Sequence, residues 1–232
     1  MSNRICLLSA GRRCGSQYVT SMVAKNYDYT DLLEPFSYQH PFTIKRVEER
    51  IVVTENPNMS EPIEDQFLRV LSILEACPNQ RVILKYFVGD LNEHFESLFI
   101  EKLKSLDFVF ILNRRRDIEK QLLSHLLANT NNVWSKMSNV SNTDKVTIDS
   151  KLFDDTARLY EKIKIFDERI KLLNLTHVGT VTYETAIENI EQLSKLKIDP
   201  TKCSTFKIGL DDPYSKIINA DEVKNFINSL LS

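Results

Sequence analysis

What most constrains this chain is a rhythm of short apolar runs separated by helix-length segments. Ile5-Cys-Leu-Leu-Ser9, Arg81-Val-Ile-Leu-Lys-Tyr-Phe-Val88, Asp107-Phe-Val-Phe-Ile-Leu112 and His177-Val-Gly-Thr-Val-Thr-Tyr183 each have the length and character of a strand. Between them apolar residues recur at helical spacing. Tyr18, Val19, Met22 and Val23 follow the first run, and Ile63, Phe67, Val70, Leu71 and Leu74 precede the second. Leu98, Phe99 and Leu103 form a third stripe, and Leu152, Leu159, Ile163, Phe166 and Ile170 a fourth. Further helices are expected over 117–128, up to about 196, and over 221–231. Parallel strands need crossovers of this length, so the alternation predicts βαβ units. The expectation is one α/β domain over 1–232, three-layered, with a mostly parallel central sheet and helices on both faces.

Local signals refine that picture. The run at 107–112 is the most uniformly apolar and is expected to be central and covered on both faces. Ser60-Glu-Pro-Ile63 opens a helix with Ser60 as N-cap and Pro62 in the first turn. Residues 30–60, with Pro35, Pro41 and Pro57, read as irregular. Residues 129–146 read as a polar loop around Trp134.

Composition excludes several classes. Lys+Arg 30 against Asp+Glu 32 leaves a net charge of −2, without the basic excess of a general nucleic-acid binder. Four cysteines without a CxxC pair and four scattered histidines argue against zinc and for a reduced, cytoplasmic protein. Ile5–Ala10 is too short for a signal segment, and no run approaches the roughly 18 apolar residues of a membrane span.

Only five glycines occur, and two of them, Gly11 and Gly15, frame the segment after the first strand. A strand ending in a glycine-bearing loop that feeds a helix aims backbone N–H groups and the helix dipole at one spot, which suits an anion. In Ser9-Ala-Gly-Arg-Arg-Cys-Gly-Ser16, Arg12 and Arg13 add charge and Ser16 a hydroxyl. This is not the Gly-x-x-x-x-Gly-Lys-Ser/Thr loop that holds a magnesium nucleotide, because Gly15 is followed by Ser16 and Gln17. A phosphate-like ligand without an obligatory metal is expected. Cys14, at a helix N-terminus beside two arginines, is expected to have a lowered pKa. A Cys-x5-Arg phosphatase pattern would need Arg at position 20, which is Thr20.

The order basic-x-Gly-Ser after the first strand resembles the 5′-phosphosulfate loop of sulfotransferases that use 3′-phosphoadenosine 5′-phosphosulfate (PAPS). In that family an Arg at a strand end and a Ser eight residues later bind the cofactor's 3′-phosphate. Here Leu112-Asn-Arg-Arg-Arg116 leads to Ser124, and only Arg116 has that spacing, since Arg114 and Arg115 would pair with Leu122 and Leu123. Arg116-Asp-x-x-x-Gln121-x-x-Ser124 is especially similar to bacterial carbohydrate sulfotransferases. Tyr183-Glu184 looks like the segment that lies near the adenosine. The resemblance runs from about residue 4 to 196. It implies PAPS as donor, adenosine 3′,5′-bisphosphate as product, no metal, and a P-loop-like sulfotransferase fold. It further implies a cofactor set of Arg12, Arg13, Cys14, Gly15, Ser16, Gln17, Arg116, Ser124 and Tyr183. The family's Arg-Lys-Gly loop is missing, and Lys202 or Lys207 is the candidate substitute.

In-line sulfuryl transfer needs partners aligned and growing charge on the leaving phosphate stabilised. Arg13, Ser16 and the helix N-terminus are expected to do that, with Lys85 a second cation at the reacting end. A Lys inside an apolar strand costs desolvation unless it is paired. The acceptor, a carbohydrate or small-molecule hydroxyl or amine, needs a general base. Glu34, 18 residues past Ser16, lies where similar enzymes carry one, with His40 and His94 as competitors. The rival readings are a kinase-like nucleotide phosphotransferase and a non-catalytic binder of adenosine 3′,5′-bisphosphate or of a partner protein.

Overall fold

The computed structural model of the chain describes residues 3–34, 42–55, 62–131, 145–202 and 213–232. His40, Ser60, Trp134, Cys203 and Lys207 lie outside them. In chain order the elements are β1 (Arg4–Ser9), α1 (Ser16–Tyr27), β2 (Thr30–Asp31), β3 (Phe42–Val47), β4 (Arg50–Glu55), α2 (Ile63–Ala76) and β5 (Val82–Phe87). There follow α3 (Glu93–Ser105), β6 (Val109–Arg114), α4 (Ile118–Asn131), α5 (Phe153–Leu172), β7 (His177–Thr182), α6 (Ala186–Ser194) and α7 (Ala220–Leu231).

Five of the strands form one parallel sheet in the order β2-β5-β1-β6-β7. Alternate residues leave each strand on opposite faces, and both faces are apolar. Cys6, Leu8, Leu84, Tyr86, Phe110 and Leu112 pack under α2, α3 and the second half of α5. Ile5, Leu7, Ile83, Ile111 and Val181 pack under α1 and α6. Burying a large apolar side chain contributes roughly 1.5–3 kcal/mol, so two such faces account for the three layers. A further cluster joins α4, α7 and the first half of α5.

The central strand is β1; the uniformly apolar β6 lies beside it, between β1 and β7. Being covered on both faces makes a strand apolar throughout, and β6 meets that condition without being the midpoint. Leu98 is 40% exposed, so α3 turns Phe99, Ile100 and Leu103 inward instead. Pro62 is the N-cap of α2, two positions later than the Ser60 expected there. The stretch expected to be irregular contains β2 and an antiparallel hairpin, β3–β4, with Ile44 and Ile51 buried. Among the described residues no helix is long and apolar enough to cross a membrane.

Parallel strands deliver their carboxyl ends to one edge. The chain leaves β1 toward β2 and β5 on one side and later toward β6 and β7 on the other. The loop after β1 therefore sits at the point where strand order reverses, the usual ligand crevice of open parallel sheets.

Candidate functional site

The loop after β1 is shaped by backbone hand. Gly11, Arg13 and Gly15 have φ of 83°, 63° and 83°, so every second residue is left-handed. Such alternation gathers successive N–H groups into an anion-binding concavity, a nest; here it begins after Gly11, whose own N–H donates to Ser9 O at 2.9 Å. Gly15 is the N-cap of α1 and has no side chain with which to cap it, so the helix's first-turn N–H groups and positive end face the same hollow. Carbonyls of the loop accept hydrogen bonds from outside it. Gln121 Nε2 donates to Ala10 O (3.2 Å) and Arg12 O (2.8 Å), and Arg115 Nη1 donates to Arg13 O (3.3 Å). Both glycines also sit close against side chains. A Cβ on Gly11 would lie 2.6 Å from Leu159, and one on Gly15 would enter the Tyr183 ring.

Beneath the loop lies a buried polar floor. Asn113 Nδ2 donates to Ser9 Oγ (3.3 Å) and to Cys14 Sγ (2.9 Å), and Ser16 is buried beside them. The expected low pKa of Cys14 is overturned. Burial pushes the thiol up, and hydrogen bonds to Ser9 and Ser16 with the nearby charge of Lys85 pull it down without offsetting that. A helix N-terminus acidifies a cysteine that solvent reaches; Cys14 is fully enclosed and supports the loop from below.

One wall of the hollow is cationic. Arg13 Nε donates to Ser124 Oγ at 3.0 Å. Burial pulls the Arg13 guanidinium down from its ordinary value and Arg115 pulls it further; the groups opposing them are Tyr183 and Cys14, neither a carboxylate. Arg115 lies over the Tyr183 ring, 5.0 Å from its centroid, with Glu184 3.9 Å from its Nε. That Nε is buried and makes no hydrogen bond among the described residues.

The three consecutive arginines thus divide. Arg114 pairs with Asp167 on α5, Arg115 turns to the loop, and Arg116 is exposed, its backbone N–H donating to Glu184 as does that of Asp117. Spacing pairs Arg116 with Ser124 as ligands of one phosphate; the side chain that bonds Ser124 directly is Arg13. Gln121 and Ser124 are three apart and share the α4 face that meets the loop, while Arg116 precedes the helix at its outer rim.

Next to the loop is a buried ion pair. Lys85 lies opposite Leu7 in the sheet and is 4% exposed. Its Nζ sits 2.8 Å from Glu34 Oε1 and donates to Gln17 Oε1 at 2.5 Å. The lysine thus points inward on the α1 side of the sheet and is paired, and Gln17 links the pair to the helix that carries the nest. His94 is exposed at the start of α3. Lys202 is exposed near the far end of α1: Asp199, just before its turn, bonds Asn26, about 15 Å of helix from Ser16.

Gln121, Asn113 and Arg115 were not among the expected site residues. Only Gln121 left a usable signal, its place in the motif from Arg116 to Ser124.

Comparison with protein-family models and with curated protein sequences finds no match. What the fold and site define is a class of molecule: a three-layer parallel α/β protein with a backbone nest at the carboxyl edge of its central strand and a buried Lys–Glu pair beside it.

Proposed function

We propose that this protein is a PAPS-dependent sulfotransferase of P-loop-like fold, moving a sulfuryl group to a hydroxyl or amine of a carbohydrate or small-molecule acceptor in the cytoplasm. The observation that carries this reading is the left-handed alternation at Gly11, Arg13 and Gly15, followed by Ser16 and Gln17 where a magnesium-nucleotide loop has Lys and Ser/Thr. The donor set suits a multi-oxygen anion, because it consists of backbone N–H groups, two guanidiniums and the Ser16 and Ser124 hydroxyls. Ser124 accepts from Arg13 and keeps its own proton to donate. Arg115 Nε, buried and without a hydrogen bond, with Glu184 3.9 Å away, fits an arriving oxyanion.

PAPS supplies an activated sulfuryl group on a phosphate leaving group. The nest, Arg13 and Ser16 hold the 5′ end; Ser124, Arg115 and the exposed Arg116 face the second phosphate; Tyr183 flanks the nucleoside. Glu34 takes the acceptor proton as the new S–O or S–N bond forms and the bridging S–O bond breaks. The two electrons of that bond leave with the phosphate. Lys85 holds Glu34 in place and puts a positive charge near the developing anion.

Calorimetry with adenosine 3′,5′-bisphosphate, ATP and 5′-AMP, each with and without Mg²⁺, tests the reading. Metal-independent binding that requires the 3′-phosphate is expected. A preference for ATP with magnesium would sink the proposal. Bisphosphate binding without sulfuryl transfer to any of a panel of sugars, alcohols and amines would favour a non-catalytic binder.

A further inference from the structure

Glu34 reaches Lys85 by an unusual route. Strand β2 is only two residues long, and the chain leaves it through Leu32, which is buried, and Leu33, whose φ is +60°. A leucine has no conformational reason to be left-handed. Two bonds hold it there. Asp31 Oδ1 accepts the Leu33 N–H at 2.9 Å, closing a side-chain turn over two residues. Leu33 O accepts the backbone N–H of Lys85 at 3.0 Å, extending the β2–β5 ladder one step past the strand. The next residue, Glu34, then meets the ammonium of that same lysine at 2.8 Å. Lys85 is gripped twice, at its amide by Leu33 and at its Nζ by Glu34.

We propose that Asp31 is a positioning residue: the oxygen it offers to the Leu33 N–H holds Leu33 left-handed and thereby delivers the Glu34 carboxylate to Lys85. The inference rests on the reading of Glu34 as acceptor base and adds how the fold places it. The active feature is the acceptor oxygen. Asp31 also feels the Lys85 charge and bonds Thr20, a fully buried threonine, while burial pushes its carboxyl up from the ordinary value. These contacts tie the turn to α1 and explain why the side chain has one orientation. Strain held at a site by surrounding bonds is a recurrent way of fixing a reactive group.

The test reads the pair directly. In protein carrying ¹³C-labelled glutamate carboxyls, the Glu34 signal is assigned by its loss in Glu34→Gln, and Lys85→Met marks where it moves when the pair is broken. Asp31→Ala should shift it most of the way to that mark. Asp31→Asn, which keeps an acceptor oxygen and removes the charge, should restore it. Leu33→Val should shift it and Leu33→Gly should leave it in place, because glycine adopts a positive φ freely and a β-branched residue does not. Turnover in Asp31→Ala should fall by roughly 10- to 100-fold, the scale of a misplacement near 1 Å, at unchanged affinity for adenosine 3′,5′-bisphosphate. An unmoved signal in Asp31→Ala, or an equal shift in Asp31→Asn, overturns the proposal. If Asp31→Ala does not fold, the Leu33 pair decides alone, and equal signals in Val and Gly overturn it. The carboxyl signals respond as described even if the protein never binds the bisphosphate, so failure of the sulfotransferase reading is separable from failure of this one.

Discussion

The two halves of the site are made from different material. The nest is backbone: left-handed residues at Gly11, Arg13 and Gly15, with the carbonyls of Ala10, Arg12 and Arg13 tied off by Gln121 and Arg115. The Lys85–Glu34 pair is side chain: two charges drawn out of water and balanced against each other. They adjoin through Gln17, whose backbone belongs to the first turn of α1 and whose amide belongs to the pair. The contrast teaches how each half can be broken. A nest is indifferent to the charge of a side chain; Arg13 carries its Cβ there, whereas one at Gly15 would run into the Tyr183 ring. An ion pair tolerates backbone adjustment and fails when one charge is deleted.

The largest effect should come from breaking the pair. In Lys85→Met, Glu34, 18% exposed, loses its counter-ion. Removing one partner of a buried pair costs about 3–5 kcal/mol, and urea unfolding should show a loss near the lower end because Glu34 retains some water. Lys85→Met/Glu34→Gln should regain most of it, since no uncompensated charge remains. If the double variant is no more stable than the single, the pair is not the source of the loss.

Breaking the nest should be the smaller effect on stability and the larger one on ligand. Gly15→Ala forces a Cβ into a left-handed residue and against the Tyr183 ring, at a combined cost of about 2 kcal/mol. Calorimetry should show binding of adenosine 3′,5′-bisphosphate reduced far more than in Lys85→Met. Adding Tyr183→Ala should relieve the clash and leave the backbone strain, so about 1 kcal/mol persists. Full recovery in that double variant would mean the hand of Gly15 is immaterial.

The two halves were unequally legible in the sequence, for a physical reason. Strand, loop and helix around Gly11 and Gly15 are local, written in a run of apolar residues, two glycines and a helical stripe, and they formed where expected. Contacts across the fold were not written locally. Arg13 and Ser124 are 111 positions apart and meet because α4 lays one face on the loop, a contact that no spacing rule contains. Cys14 was misjudged for a related reason: the helix dipole is local, but burial, which prevails, belongs to the whole fold. The β3–β4 hairpin hid because its turn, Val47-Glu-Glu-Arg50, has neither glycine nor asparagine, although Glu48 adopts φ 55°. It is pinned by Gln80, whose side chain bonds both the N–H and the C=O of Ile51. Lys85 was readable as a conflict, a charge in an apolar run, and its resolution by Glu34 needed the register of β2 on β5.

The smallest effect distinguishes the halves by pH. His125 lies next to Ser124 on α4, buried, with its Nε2 2.8 Å from Asp155 Oδ2 on α5. Asn129 also reaches Asp155, Arg158 acts on it, and Arg12 and Arg13 face the histidine. This contact ties the helix that clamps the nest to the helix whose Leu159 covers Gly11. Burial pushes the His125 pKa down; Asp155 opposes that, while Arg12 and Arg13 add to it, and the net direction is downward from 6.5. Below 6.5 the unfolded chain then binds more protons than the folded one, so stability rises with pH in that window and is lost as pH falls. Against the cost of burial, bonds from His125 and Asn129 hold Asp155 below the usual carboxylate range, so its own contribution fades only in stronger acid. Urea midpoints between about pH 7.5 and 5.5 should decline in the wild type and decline less in His125→Gln, which keeps a donor for Asp155. The difference between the two proteins over that interval belongs to the α4–α5 contact that backs the nest. Equal slopes in the two proteins would remove His125 from the support of the nest.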